Sequence, residues 1–268
     1  MSRSTPIAAH DRTGEVVRRA LPALRKVPEI TAYFWLIKVL TTAMGEVTSD
    51  YLVHQFDPVI VVPLGALALA AALLLQLLVR RYMAPVYWLA VVMVAIFGTM
   101  AADVMHIGLG IPYVVSTSFF AVALVTTFAA WYVTEKTLSI HSIDTLRREL
   151  FYWAAVLATF ALGTAAGDMT ATTVGLGYFF SGVMFAALFV LPALAYRLIG
   201  LDAIPAFWIA YVLTRPLGAS FADWLGRARN LSGLGLGTGA VSLVLTFVIV
   251  ILVGYLTVTR KDVRAGGR

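Results

Sequence analysis

Four segments of this chain align without a gap: FWLIKVLTTAMGEVTSD (34–50), YWLAVVMVAIFGTMAAD (87–103), YWAAVLATFALGTAAGD (152–168) and FWIAYVLTRPLGASFAD (207–223). Each reads aromatic residue, Trp, nine residues, Gly, four residues, Asp. Trp35, Trp88, Trp153 and Trp208 fall in register, as do Gly45, Gly98, Gly163 and Gly218, and Asp50, Asp103, Asp168 and Asp223. A repeat of this kind limits the fold strongly, because every copy must take the same supersecondary shape and stack on its neighbours.

Each copy opens an apolar run of about 20 residues, and a second such run follows it, the length needed to cross a bilayer. The chain is 60% hydrophobic and only 13% charged, with mean hydropathy +0.88, where a soluble domain carries about 25% charged residues. Alternating ten-residue strands, the mark of a membrane barrel, are missing. The reading is an all-α integral membrane protein. Eight transmembrane helices are expected near 30–54, 59–79, 86–107, 113–134, 151–174, 178–198, 206–226 and 236–258. They pair into four tandem parallel helical hairpins, with repeats at about 30–80, 85–135, 150–198 and 205–258 of one transmembrane domain, 29–258. The polar connection 135–150 is the longest and is expected to divide the domain into two halves. Pro216, two residues before Gly218, is expected to kink or break its helix.

The charged residues orient these helices. Sixteen of the twenty Lys and Arg fall on one side, in the N-terminal tail, in the loops after spans 2, 4 and 6, and after residue 259. Arg227 and Arg229 alone fall on the other, and Lys38 and Arg215 lie within spans. By the excess of basic residues in cytoplasmic loops, both termini are cytoplasmic. Residues 1–28 form a basic cytoplasmic tail or a surface helix, with Val17, Leu21 and Leu24 on one face; 259–268 is a second basic tail. The net charge of +6 thus follows membrane topology and does not indicate a nucleic-acid partner.

The aromatic–Trp pair is read as an interfacial belt. Gly lies about 15 Å deeper and is read as a point of close helix packing, and Asp lies about 22 Å deep. A lone carboxylate in hydrocarbon costs about 3 kcal/mol, so four in register are expected to meet on a shared axis. Steps of four along the helices extend this polar stripe. They give Lys38, Thr42, Glu46, Asp50 and His54 in the first repeat, and Thr99 and Asp103 in the second. The third gives Thr164, Asp168 and Thr172, and the fourth Arg215, Asp223 and Arg227. Lys38 and Arg215 set against five acids leave a negative axis. Close carboxylates call for protons, a metal ion or a cationic substrate. Lys38 and Arg215 act either as counter-ions released by cargo or as permanent salt bridges. His54 and His106 follow an Asp by four and three residues, as accessory ligands or as capped, solvated histidines. Gly-Leu-Gly at 108–110, 175–177 and 235–237 marks tight turns.

No cysteine is present, which excludes disulfides and thiolate metal sites. No phosphate loop, nucleophile elbow or dinucleotide fingerprint appears, so no enzyme is expected. Oxygen ligands favour a hard divalent ion, with Mn²⁺ slightly preferred. The expected function is an inner-membrane transporter of a divalent cation, with or without a coupled proton. Asp50, Asp103, Asp168 and Asp223 would bind the ion and Glu46 would assist. Lys38, Thr99, Thr164, Arg215, His54 and His106 would be accessory. The partners are the lipid bilayer and the cation cargo, with no resident cofactor. The alternatives are a proton-coupled carrier of small organic cations and a non-transporting scaffold or sensor.

The opening KVPEITAYFWLIKVLTTAMGEVTSDYL, with the four-fold Gly-x4-Asp pattern, resembles a bacterial family of uncharacterised membrane-anchored proteins built from a repeated two-helix unit of unknown function. The resemblance covers residues 27–258. It implies a multi-pass protein of the bacterial inner membrane and assigns no functional residue.

Overall fold

The structure, a computed structural model, describes residues 26–263. The surface helix expected around Val17–Leu24 lies outside these residues, as do the last five of the C-terminal tail.

The described residues form eight α-helices and no strand. They are α1 Ala32–Gln55, α2 Pro58–Leu78, α3 Ala84–Asp103, α4 Tyr113–Glu135, α5 Leu146–Asp168, α6 Gly177–Leu198, α7 Ala203–Gly226 and α8 Thr238–Thr259. Local chemistry starts several of them. Thr31 Oγ1 accepts from the Phe34 amide at 3.3 Å. Asp57 accepts from the Val59 amide at 2.9 Å, with Pro58 opening α2. Thr145 caps α5 through the Arg148 amide. Such caps satisfy amides that have no partner within the helix. Because Thr145 caps it, α5 starts five residues earlier than its expected span, and the connection before it shrinks accordingly. The glycine turns behave as expected: Gly110, Gly175, Gly177, Gly235 and Gly237 all take positive φ, a region that residues with a Cβ avoid.

Six of the helices, α2 to α6 and α8, are long and apolar enough to cross a membrane, and the chain is a multi-pass membrane protein. The other two, α1 and α7, carry the buried charges Lys38, Glu46 and Asp50, and Arg215 and Asp223.

The odd-numbered helices form an inner ring. α1 packs on α3, α3 on α5, α5 on α7, and α7 back on α1. The even-numbered helices stand outside, and only 17–28% of their apolar windows are buried, against 50% for α3 and 61% for α5. Their partners differ from the expected hairpins. α2 packs chiefly on α3, α4 on α5, α6 on α7, and α8 on α1. Each return helix therefore leaves its own repeat and covers the next one, and the last covers the first. The ring is continuous across the 135–150 connection and is not split into halves.

The four glycines explain how closely the ring closes. A methyl group at Gly45 would strike Ala95, one at Gly98 would lie 2.7 Å from Phe160 Cβ, one at Gly163 would strike Arg215, and one at Gly218 would strike Thr42. Each of these obstacles lies three residues before the glycine of the following repeat. The glycines thus serve close helix packing, the role small residues play between membrane helices.

Two expectations are corrected here. The break expected at Pro216 does not occur, since α7 runs as one α-helix from Ala203 to Gly226. Three of the four tryptophans are not in the expected interfacial belt: Trp88, Trp153 and Trp208 are buried, with Phe34, Tyr87, Tyr152 and Phe207 beside them, while Trp35 is partly buried. In every repeat the two rings of the pair meet edge to face, with centroids 5.1–5.2 Å apart. Together they fill the centre of the ring at the end where the odd-numbered helices begin.

Candidate functional site

The ring axis carries the polar groups in layers. Following the odd-numbered helices from their first residues, the aromatic layer comes first. Lys38 lies one layer deeper. Its Nζ sits 3.9 Å from the Phe160 ring centroid and 4.2 Å from that of Tyr211. It is fully buried and has no hydrogen-bond partner among the described residues. A cation against aromatic faces gains from their quadrupoles, and this is the only support Lys38 shows there.

At the glycine level stands Arg215, also fully buried. Its Nη2, with two hydrogens to give, lies within hydrogen-bonding reach of three acceptors: Glu46 Oε2 at 2.5 Å, Thr164 Oγ1 at 2.6 Å and Thr99 Oγ1. Its Nη1 donates to the Thr42 carbonyl at 3.3 Å. Nη2 thus sits where groups of α1, α3 and α5 converge, with Nη1 turned to α1, and one side chain serves three helices.

One turn further are the acids. Carboxylate oxygens of Glu46, Asp168 and Asp223 lie within 4.8 Å of one another. They come from α1, α5 and α7, and all three residues are buried. The Asp168 carboxylate has neither an ion pair nor a hydrogen bond among the described residues. Asp223 and Asp50 share Arg227, whose Nε is 2.8 Å from Asp223 and whose Nη2 is 3.2 Å from Asp50. Arg227 also lies over the Tyr178 ring at 5.1 Å. Three basic groups therefore face five carboxylates on this axis, counting Lys38, Arg215 and Arg227 against Glu46, Asp50, Asp103, Asp168 and Asp223.

The expected ligand set changes in composition. Glu46, assigned an assisting role, is one of the three carboxylates that converge. Asp50 is turned to Arg227, and Asp103, only partly buried, lies outside the convergent group. Thr99 and Thr164 hold Arg215. His106 stacks on Tyr113 with centroids 4.1 Å apart and shares a hydrogen bond with Ser116. His54 is exposed, its Nδ1 2.6 Å from the Asp50 carbonyl. Both are thus capped histidines apart from the acid group.

Arg227 was legible as the i+4 neighbour of Asp223, yet its place at the helix end assigned it to the outer loop. The helix cap at Arg227 leaves its long side chain free to fold back over the acids. In the second and third repeats a π-helical turn follows Asp directly, Val104–Gly108 and Met169–Thr173. Such turns widen a helix by one residue and often occur beside functional groups. The first repeat stays α-helical there as far as Gln55, and in the fourth the helix ends at Gly226 with Arg227 as its cap.

No curated protein and no solved structure matches this chain significantly. Residues 33–82, 86–137, 151–200 and 206–262 each match the family described as Repeat of Unknown Function (DUF347). With four consecutive copies covering most of its length, the chain belongs to that family.

Proposed function

We propose that this protein is a carrier of a divalent cation in the bacterial inner membrane, with all eight helices crossing the bilayer and both termini in the cytoplasm. α1 and α7 cross despite their charges, because those charges face the ring axis and not lipid. The cargo ion is held by Glu46, Asp168 and Asp223. Asp50 and Asp103 line its approach from the outer side, and Arg227 screens them.

The observation that carries this reading is the convergence of three buried carboxylates from three repeats, one of them without a partner. Carboxylate in a low-dielectric site is costly unless a counter-charge meets it. All-oxygen ligands suit Mn²⁺, Mg²⁺ or Ca²⁺. In this reading the chain's role is binding and passage.

A second reading has its own observation. The same axis already accommodates an ammonium against aromatic rings and a guanidinium among hydroxyls. That favours small organic cations as the alternative cargo.

Flux into proteoliposomes decides between them. With divalent ions presented singly, saturable uptake of Mn²⁺ is expected, reduced at least about tenfold in Asp168→Asn, a loss of about 1.4 kcal/mol. Uptake of methylammonium in place of any metal would move the assignment to organic cations. Absence of both, from folded protein, would end the carrier reading.

A further inference from the structure

Around the ring, the position three residues before the glycine is Thr42, Ala95, Phe160 or Arg215, and the position just after it is Glu46, Thr99, Thr164 or Ala219. The arginine of the fourth repeat meets the polar group of each other repeat at that second position. Its own repeat supplies only the methyl group of Ala219 there. α1, α3 and α5 thus build a buried set of acceptors for one planar cation, and α7 delivers that cation on a tether. These three acceptors gather round Nη2 while Nη1 reaches the Thr42 carbonyl, so the site engages two nitrogens of one planar cation, where an ammonium offers a single nitrogen.

The placement along the axis is equally specific. Arg215 precedes Asp223 on α7, and Lys38 precedes Glu46 on α1, so both basic groups lie on the aromatic side of the acids. They share one neighbour: the Phe160 ring is 3.9 Å from Lys38 Nζ and 5.5 Å from Arg215 Cζ. A fixed positive charge in a narrow pore is an effective barrier to free cations.

We propose that Arg215 is a tethered plug, its guanidinium filling a cation pocket built by the other three repeats and closing the axis below the carboxylates. The inference deepens the carrier reading and rests on it for the axis being a path. The pocket itself needs no transport. A cargo ion that engages Glu46 competes with Arg215 for the same Oε2, so arrival of cargo weakens the plug at its charged contact. Removal of Arg215 leaves a buried carboxylate and two hydroxyls arranged for a free guanidinium-class cation.

The first test is thermal unfolding of detergent-purified Arg215→Ala in millimolar guanidinium, far below denaturing concentrations. Urea serves as the neutral isostere and sodium chloride as the ionic control. A saturable rise in Tm of roughly 5 °C is expected with guanidinium alone, and only in the variant. No rise, or an equal rise with sodium chloride or in the wild type, overturns the pocket. Should Arg215→Ala fail to accumulate, Arg215→Lys keeps the charge but has no second nitrogen for the Thr42 carbonyl that Nη1 holds. Its proteoliposomes are expected to leak sodium at least about threefold faster than wild type, with the leak blocked by guanidinium. An unchanged leak overturns the plug. Guanidinium stabilisation of the alanine variant, in a protein whose wild type carries no divalent ion, would keep the pocket and remove the carrier reading alone.

Discussion

Asp262 shows how a single group outside the membrane-spanning helices reports on the fold. It lies just past α8, nearly fully buried, and accepts a hydrogen bond from the Tyr82 hydroxyl. Its backbone carbonyl accepts from the Glu29 amide at 2.9 Å, tying the two ends of the described chain together. Burial raises its pKa above the ordinary carboxylate value, and the Tyr82 hydroxyl only partly opposes this. An acid whose folded pKa is raised binds its proton more tightly in the fold than in the unfolded chain. Its ionised form is therefore penalised at neutral pH. Stability is gained as pH falls through the folded pKa, and the gain is complete below the unfolded value of about 3.9. As pH falls from neutral toward the unfolded value of about 3.9, the Tm of wild type is expected to rise relative to that of Asp262→Asn, which keeps an acceptor for Tyr82 without the charge. Parallel Tm curves for the two proteins would show that this carboxylate is not penalised. Of the site, the sequence made Asp168, Asp223, Glu46 and Arg215 legible, because steps of four place them on one stripe. It could not show that Arg227 folds back over Asp50 and Asp223. That depends on where α7 ends, and the cap at Arg227 is set by the chain that follows it.

At the scale of one helix, the ring glycines carry the sharpest expectation. A side chain at Gly218 would meet Thr42 and lie 2.9 Å from the Ala43 amide nitrogen, backbone that cannot yield without parting α1 from α7. Gly218→Val is expected to cost about 1–3 kcal/mol or more by overpacking. Gly254, on the lipid-facing α8, has nothing within 4 Å of an added methyl. Gly254→Ala is instead expected to stabilise by about 0.5–1 kcal/mol, since glycine is costly in a helix interior. Tm measurements on the pair test whether closeness at the ring, and not helix propensity, sets the order; a Gly218→Val protein as stable as Gly254→Ala would refute it. Helix positions were legible from apolar run length to within a few residues, apart from the early start of α5. The role of the Trp residues was not. A tryptophan inside a helical ring and one in an interfacial belt occupy the same depth and the same step along the helix. Only the neighbouring helices distinguish them, and here Trp208 donates to the Leu138 carbonyl at 2.9 Å from within the core.

At the scale of the whole molecule, the consequential fact is that each outer helix covers the following repeat. Repeat periodicity and short turns are equally compatible with compact hairpins, so the sequence left this exchange unseen. A two-helix connection fixes antiparallel direction but not which neighbour the second helix chooses. The exchange makes the ring cyclic: α8 rests on α1 as α2 rests on α3, and no junction between repeats is structurally special. A cyclic arrangement tolerates a change in where the chain starts. The α6–α7 connection is exposed at Ile199 and Gly200, and breaks at such exposed connections are the ones circular permutation accepts. The first and last described segments meet on one side of the ring through the Glu29–Asp262 hydrogen bond. A permutant that begins at Leu201, joins Arg268 to Met1 and ends at Gly200 runs through the repeats in the order four, one, two, three. It retains every helix contact of the parent. It is expected to insert and fold with a Tm within about 5 °C of the parent, because joining distant ends alters loop entropy only slowly with length. It should also show the same guanidinium dependence when Arg215→Ala is introduced. A permutant that inserts but unfolds far below the parent would mean that α6 needs its covalent link to stay on α7, and that the junctions round the ring are not equivalent.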